Sequence, residues 1–367
     1  MDAPLTAPAL SRRLTALPAW QRFARARHKP GAPLTLYCSE LAAAAGWVAA
    51  MALDRPVIML CPSPTDAELA GALLPAWGAP TFTLPAALAA PFAPAADPEL
   101  PARRALILHR WLHASSGALV LPAAALADSF PGAAALTDSF LTLRTGNTHS
   151  IDQLRRQLTA LGYDPVNLVR VPGEYAVRGG LLDLFPAGAE HPCRLDFNGD
   201  LLEDLRLFDA TSQMSLRRLP SIAVPPARAL PLPAARRKEL DRLLHRHREP
   251  AFAPLKEAFA ARADHPLFAL LDRALDAAGG AAAALARPDL TLAVWHPAAV
   301  ARTLAEIARQ LDEMAARLPF PPEFAALLRA HYGDPVREYD QLRAGLVLEL
   351  LAPGSDTRQG FSLAARA

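Results

Sequence analysis

Lysine is almost missing from this sequence. Among 38 basic residues only Lys29, Lys238 and Lys256 are lysines, and the rest are arginine. None of the three follows a glycine, which excludes the GxxxxGK[ST] loop whose backbone and lysine enclose nucleotide phosphates. GxGxxG is absent too, as is the GxSxG elbow of serine hydrolases. Cysteine is scarce: Cys38, Cys61 and Cys193 are far apart and odd in number. With no CxxC pair, a disulfide frame and a zinc site are both excluded, and a reducing compartment is expected. No run of 18 apolar residues escapes proline or charge, and the first 20 residues hold no continuous apolar core. Neither a membrane span nor a secretory leader is expected, so the expected location is cytoplasmic. A net charge of +2 is too balanced to announce a nucleic-acid binder. His109 and His113 in HRWLH share a helix face, but the glutamate base of HExxH is missing. His245 and His247 in HRH diverge on a helix. No metal and no cofactor is expected.

What the chain has is apolar content, 52%, with 20% charge, in 367 residues. That predicts a globular protein of two or three domains. A basic amphipathic helix is expected over 9–28. LTLYC (34–38), PVIMLC (56–61), TFTLP (81–85) and GALVLP (117–122) read as continuous apolar strands. Helices alternate with them: one from a Ser39 cap through Leu41 to Met51, one after Thr65-Asp66, and one over Arg103 to His113. Such alternation predicts a parallel sheet covered on both faces, an α/β unit at about 33–140. The first strand-to-helix junction, where a nucleotide site would lie, holds Ser39, Glu40 and Leu41.

The pattern then changes. SIDQLRRQLTALG predicts a helix with Ser150 as cap, Gln153 at the capping-box position and Gly162 as its stop. Strand-like runs follow at about 166–171, 174–178, 181–185, 193–197 and 201–208, closely spaced with turn signals between them. This predicts a small antiparallel α+β domain, about 141–226. VPPARALPLP (224–233) reads as a linker. The remainder is mostly helical, with strand candidates at 290–295 and 346–351.

Within PGEYAVRGGLLDLFP, Tyr175 and Val177 point one way and Glu174, Ala176 and Arg178 the other. Gly179-Gly180 supplies the permissive backbone of a tight reversal, so Arg178 should end a strand beside a hairpin. Asn198-Gly199 in RLDFNGDLLEDL is a second hairpin signal. Arg178 and Arg194 both lie on strands near turns. Each is either a strut, paired across strands with Asp183, Asp196 or Glu203, or an anchor for a partner. The carboxylates of 196–209 read as a polar strand face.

GEYAVRGGLLDLFPAG followed by PCRLDFNGDLLEDLRLFDATSQMSL resembles the UvrB-homology module of bacterial transcription-repair coupling factor, in which GE(F/Y)xxRGGxxDxFP, RxxFxxD and LRxFDxxxQxS follow in that order. The likeness is strong over 141–226 and thinner over 33–140. It implies a degenerate RecA-like, helicase-like α/β domain at 33–140 (1a), with a small α+β domain inserted at 141–226 (2). It implies a helix-rich third lobe (1b) from 1–32 plus 227–367. It also implies that the small domain binds the repair protein UvrA by mimicking UvrB. Arg178 and Arg194 stand where that family has its UvrA-binding arginines. Asn198 stands where it often has an aromatic, and Gly179, Gly180, Asp196 and Gly199 build the supporting hairpins. Truncating either arginine is expected to abolish UvrA capture with the fold intact. RNA polymerase and DNA would be reached only through parts of the family absent from these 367 residues, so the chain is either an N-terminal piece or a stand-alone relative. The alternatives are a UvrB-like damaged-DNA binder, which lacks an aromatic-rich insertion here, and an ATP-dependent translocase, which lacks its lysine.

Overall fold

Val57–Cys61 and Ala118–Pro122 are buried on both faces, and a strand apolar on both faces requires cover on both. They are neighbouring strands of a parallel sheet in the computed structural model, which describes residues 14–18, 20–21, 34–38, 40–85, 99–128, 133–227, 234–260, 280–287, 289–343, 346–351 and 361–362. The chain divides into two units. One draws on residues 1–94, 110–132 and 249–367, and the other on 95–109 and 133–248.

The strands, in chain order, are β1 (Leu34–Tyr37), β2 (Pro56–Cys61), β3 (Thr81–Thr83), β4 (Gly117–Pro122) and β5 (Leu141–Arg144). Next come β6 (Asp164–Pro165), β7 (Glu174–Arg178), β8 (Leu181–Leu184), β9 (Cys193–Asn198) and β10 (Leu201–Phe208). The series closes with β11 (Ser215–Arg218), β12 (Ser221–Val224), β13 (Thr291–Trp295), β14 (Leu346–Leu351) and β15 (Phe361–Ser362).

In the first unit the sheet order is β15-β1-β14-β13-β2-β4-β3, parallel throughout. β13 and β14 were expected in a helix-rich third lobe, and the sheet places them at its middle. The reason is backbone satisfaction: β2 pairs with β4 on one edge, and β13 occupies the other with Val57–Leu60 against Thr291–Val294. Without β13 a wholly apolar strand would leave its hydrogen-bonding edge open. Residues 33–140 therefore do not close this sheet alone. The helix Leu41–Ala52 packs on the sheet through Trp47, Val48 and Met51, and the Trp20 ring lies tilted against Trp47, with centroids 5.1 Å apart. Of the helix expected over 9–28, only 14–18 and 20–21 are described. Ser39, its neighbour's expected cap, lies outside the described residues, and Glu40 takes the cap position without a side-chain bond. The next helix begins at Pro64, ahead of Thr65-Asp66, because the Ser63 hydroxyl accepts from the Asp66 amide at 3.1 Å.

In the second unit the sheet order is β11-β10-β9-β8-β7-β6, and β12 pairs separately with β5. The helix Ile151–Ala160 lays Leu154 and Leu158 against the inner face, on Tyr175, Leu182, Leu184, Leu195 and Leu205. Gly162 ends it with φ +86°. Tyr163, enclosed, donates its hydroxyl to the Pro225 carbonyl at 2.7 Å and accepts from the Ala187 amide at 3.1 Å. The strand expected at 166–171 does not form. Pairing with β7 ends at Val166, whose amide donates to the Tyr175 carbonyl at 2.8 Å, and beyond it the Glu174 carboxylate accepts from the Arg170 and Val171 amides at 2.7 and 3.0 Å. The segment folds back, and Val169 packs on Ala176 and Phe185. Val224, at the head of the expected linker, ends β12, and 228–233 lies outside the described residues.

Candidate protein-docking surface

The pleat of β7–β10 sorts this sheet into two chemistries. Tyr175, Leu182, Leu184, Cys193, Leu195, Phe197, Leu202 and Leu205 face the core. The register puts Arg178, Leu181 and Asp196 in one row of the outer face, and Ala176, Asp183, Arg194, Arg206 and Arg218 in another.

Arg178 ends β7 and is exposed. Gly179 and Gly180 form the two-residue loop between Arg178 and Leu181, for different physical reasons. Gly179 has φ +59° and open space where a Cβ would stand. Gly180 has no positive φ, but its Cβ would lie 2.6 Å from the Phe197 carbonyl oxygen. The Phe197 amide donates to the Gly180 carbonyl at 2.8 Å, so this turn rests on β9. A positive φ at the first central residue alone is the type II′ pattern, which suits the twist of a hairpin. Arg178 Nη2 donates to the Asn167 carbonyl, which braces the side chain and leaves its charge without a carboxylate among the described residues.

Arg194 is placed differently. Its Nε and Nη2 bind both oxygens of Asp183, the residue opposite on β8, at 2.6 and 2.8 Å. Nη2 also reaches Gln213 Oε1 at 3.3 Å, and the guanidinium lies over the Phe208 ring at 4.7 Å. The Asp183 bond favours the charged form and holds the Arg194 pKa above its ordinary value. Gln213 sits at φ +60° in the β10–β11 turn, with its Nε2 donating to the Ala210 carbonyl. Of the two roles open to it, Arg194 therefore fills that of a strut within its own sheet. Sequence reasoning named Asp183 among three possible partners; it missed Gln213 and Phe208, because the β10–β11 turn is what brings them near.

Asn198 is exposed, and its Nδ2 donates to Glu203 Oε1 at 2.9 Å. It was expected within the turn, but it ends β9 opposite Leu201, and the loop is Gly199-Asp200 with Gly199 at φ +59°. The hairpin stands, shifted by one residue, and this aims Asn198 at the outer face. Asp196 pairs with Arg206 at 3.9 Å, and Asp204 binds Arg206 at 2.5 Å and Arg218 at 3.2 Å. The outer face is thus a lattice of arginine–carboxylate pairs with Arg178 at its edge.

Burial pushes the Cys38 thiol up to about 12 and raises Cys61 and Cys193 as well, so all three remain protonated. Among the described residues no cluster of His, Cys, Asp and Glu could hold a metal ion, and no helix is long and apolar enough to cross a membrane.

Residues 141–230, which carry this paired sheet, match the family described as the UvrB interaction domain. The chain is also similar to transcription-repair-coupling factors. It is 42% identical to the factor of Escherichia coli (strain K12) over 115 residues, 31% of this chain and 10% of that protein. It is 38% identical to that of Haemophilus influenzae over 133 residues, 36% and 12% of the two chains. It is 31% identical to that of Bacillus subtilis (strain 168) over 135 residues, 37% and 12%. The matched stretch thus spans about one-eighth or less of these relatives.

Proposed function

We propose that this chain is a non-catalytic adaptor that recruits UvrA in transcription-coupled nucleotide excision repair by presenting a UvrB-like face. The observation that carries this is Arg178: exposed, braced by a backbone carbonyl, and placed by a rigid hairpin in the module that matches the UvrB interaction domain. Arg194 contributes as the pillar beside it, and Asn198 lies at the neighbouring tip.

Recognition proceeds by charge-assisted pairing. A carboxylate on UvrA meets the outer edge of the Arg178 guanidinium, whose stem is already positioned, so little side-chain freedom is lost on docking. Arg178→Ala is expected to weaken UvrA capture by about 2 kcal/mol, roughly thirtyfold, without moving the melting temperature. Titration of UvrA from the same organism against both proteins checks this, and equal affinities would remove the assignment.

The first unit serves as a degenerate, helicase-like scaffold. At the end of β1, where phosphate would need amides and a lysine, Glu40 places a carboxylate before the helix, and Gly46 is occupied in packing, with Trp77 2.9 Å from where a Cβ would stand. No ATP turnover is expected, with or without DNA. DNA-stimulated phosphate release by the purified chain would overturn the non-catalytic reading.

A further inference from the structure

Among the described residues of the second unit, four large apolar ones stand exposed: Val171, Leu201, Met214 and Leu216. A scattered exposed leucine is ordinary, so position decides. Leu201 pairs with Asn198, which places it on the outer face beside the arginine lattice. Its hairpin and the Arg178 hairpin turn at the same end of the sheet, since Leu181 pairs with both Arg178 and Asp196, and Phe197 bonds back to Gly180. Met214 and Leu216 lie at the other end, where Arg194 is already taken by Asp183.

Leu201 is also held firmly. On its second side it bridges to Thr148. Around it the Gly146 amide donates to the Leu202 carbonyl at 2.8 Å, and Leu202 donates to the Asn147 carbonyl at 3.0 Å. The His149 amide donates to the Asp200 carbonyl at 2.7 Å. An apolar group on a braced backbone loses little freedom when covered. Nearby Asp196 is paired with Arg206 at 3.9 Å, and Glu203, held by the neutral Asn198 amide at 2.9 Å, keeps its charge.

We propose that Leu201 is the apolar anchor of the docking surface. It meets an apolar side chain of UvrA adjacent to the carboxylate taken by Arg178. This rests on the UvrA reading above and adds to it a contact class, a fixed apolar point next to a cation, the combination that concentrates binding energy at interfaces.

The test is the affinity of the full chain for UvrA of the same organism, in wild type and in Leu201→Ser, Leu201→Gln, Leu201→Met, Leu216→Ser and Arg178→Ala. Leu201→Ser and Leu201→Gln should each weaken binding about tenfold, while Leu201→Met stays within about twofold. Leu216→Ser should match wild type. Circular dichroism of each variant shows that the loss is not unfolding, and Gln keeps the bulk should Ser perturb the hairpin. If both polar variants bind as wild type while Arg178→Ala does not, the anchor is refuted and the docking reading stands. If Arg178→Ala also binds as wild type, the docking reading falls and takes the anchor with it.

Discussion

Arg194→Ala should destabilise the small domain by about 3 kcal/mol, because it strands a carboxylate that cannot reach water. The Asp183 side chain is 5% exposed and gives both oxygens to Arg194. Removing the arginine leaves that charge buried and unpaired, and uncovers Phe208, on which the guanidinium lies. Replacing both partners, Arg194→Met with Asp183→Leu, should recover most of the loss, since no charge is then abandoned. Hydrogen exchange of the β8 and β9 amides in the full chain reads this directly. Unaltered protection in Arg194→Ala would mean that the pair contributes little. The consequence for function is that truncating Arg194 is expected to disturb the fold as well as the docking face. Lost UvrA capture in that variant would report damage to the sheet as well as a missing contact. Arg178, exposed and bonded only to a carbonyl, is the cleaner probe.

Gly180→Ala should cost about 3 kcal/mol, and Gly179→Ala only about 1 kcal/mol, although the two glycines are neighbours. At Gly179 an added methyl meets open space, and the penalty is that of a left-handed backbone at φ +59°. At Gly180 the methyl would meet the Phe197 carbonyl at 2.6 Å, and backbone in the middle of a sheet cannot step aside. The turn would lift from β9 and lose the Phe197–Gly180 hydrogen bond. Arg178 would lose its position with it, so UvrA affinity should fall in Gly180→Ala and hold in Gly179→Ala. Denaturant titration of both variants checks the order. A larger loss at Gly179 would show that backbone conformation, and not contact with β9, governs the turn.

The sequence by itself determined the faces of the central antiparallel strands. Alternation in EYAVR, LLDL and CRLDFN assigned each side chain to core or surface, because the pleat has a period of two whatever the neighbours are. Gly179-Gly180 and Asn198-Gly199 marked the two hairpins, for local reasons alone. Partnership was a different matter. Asp183, Asp196 and Glu203 were equivalent as mates for Arg194 until strand register put Asp183 opposite it. Register also shifted the Asn198 hairpin by one residue and brought Leu201 to the surface beside it. The central parallel sheet could not be closed from residues 33–140, because β13 and β14 return from far along the chain to pair with β2 and β1. Hydrogen bonding between strands is blind to distance in sequence, so which strand fills an open edge, and which charge meets which, is decided only once the chain has folded.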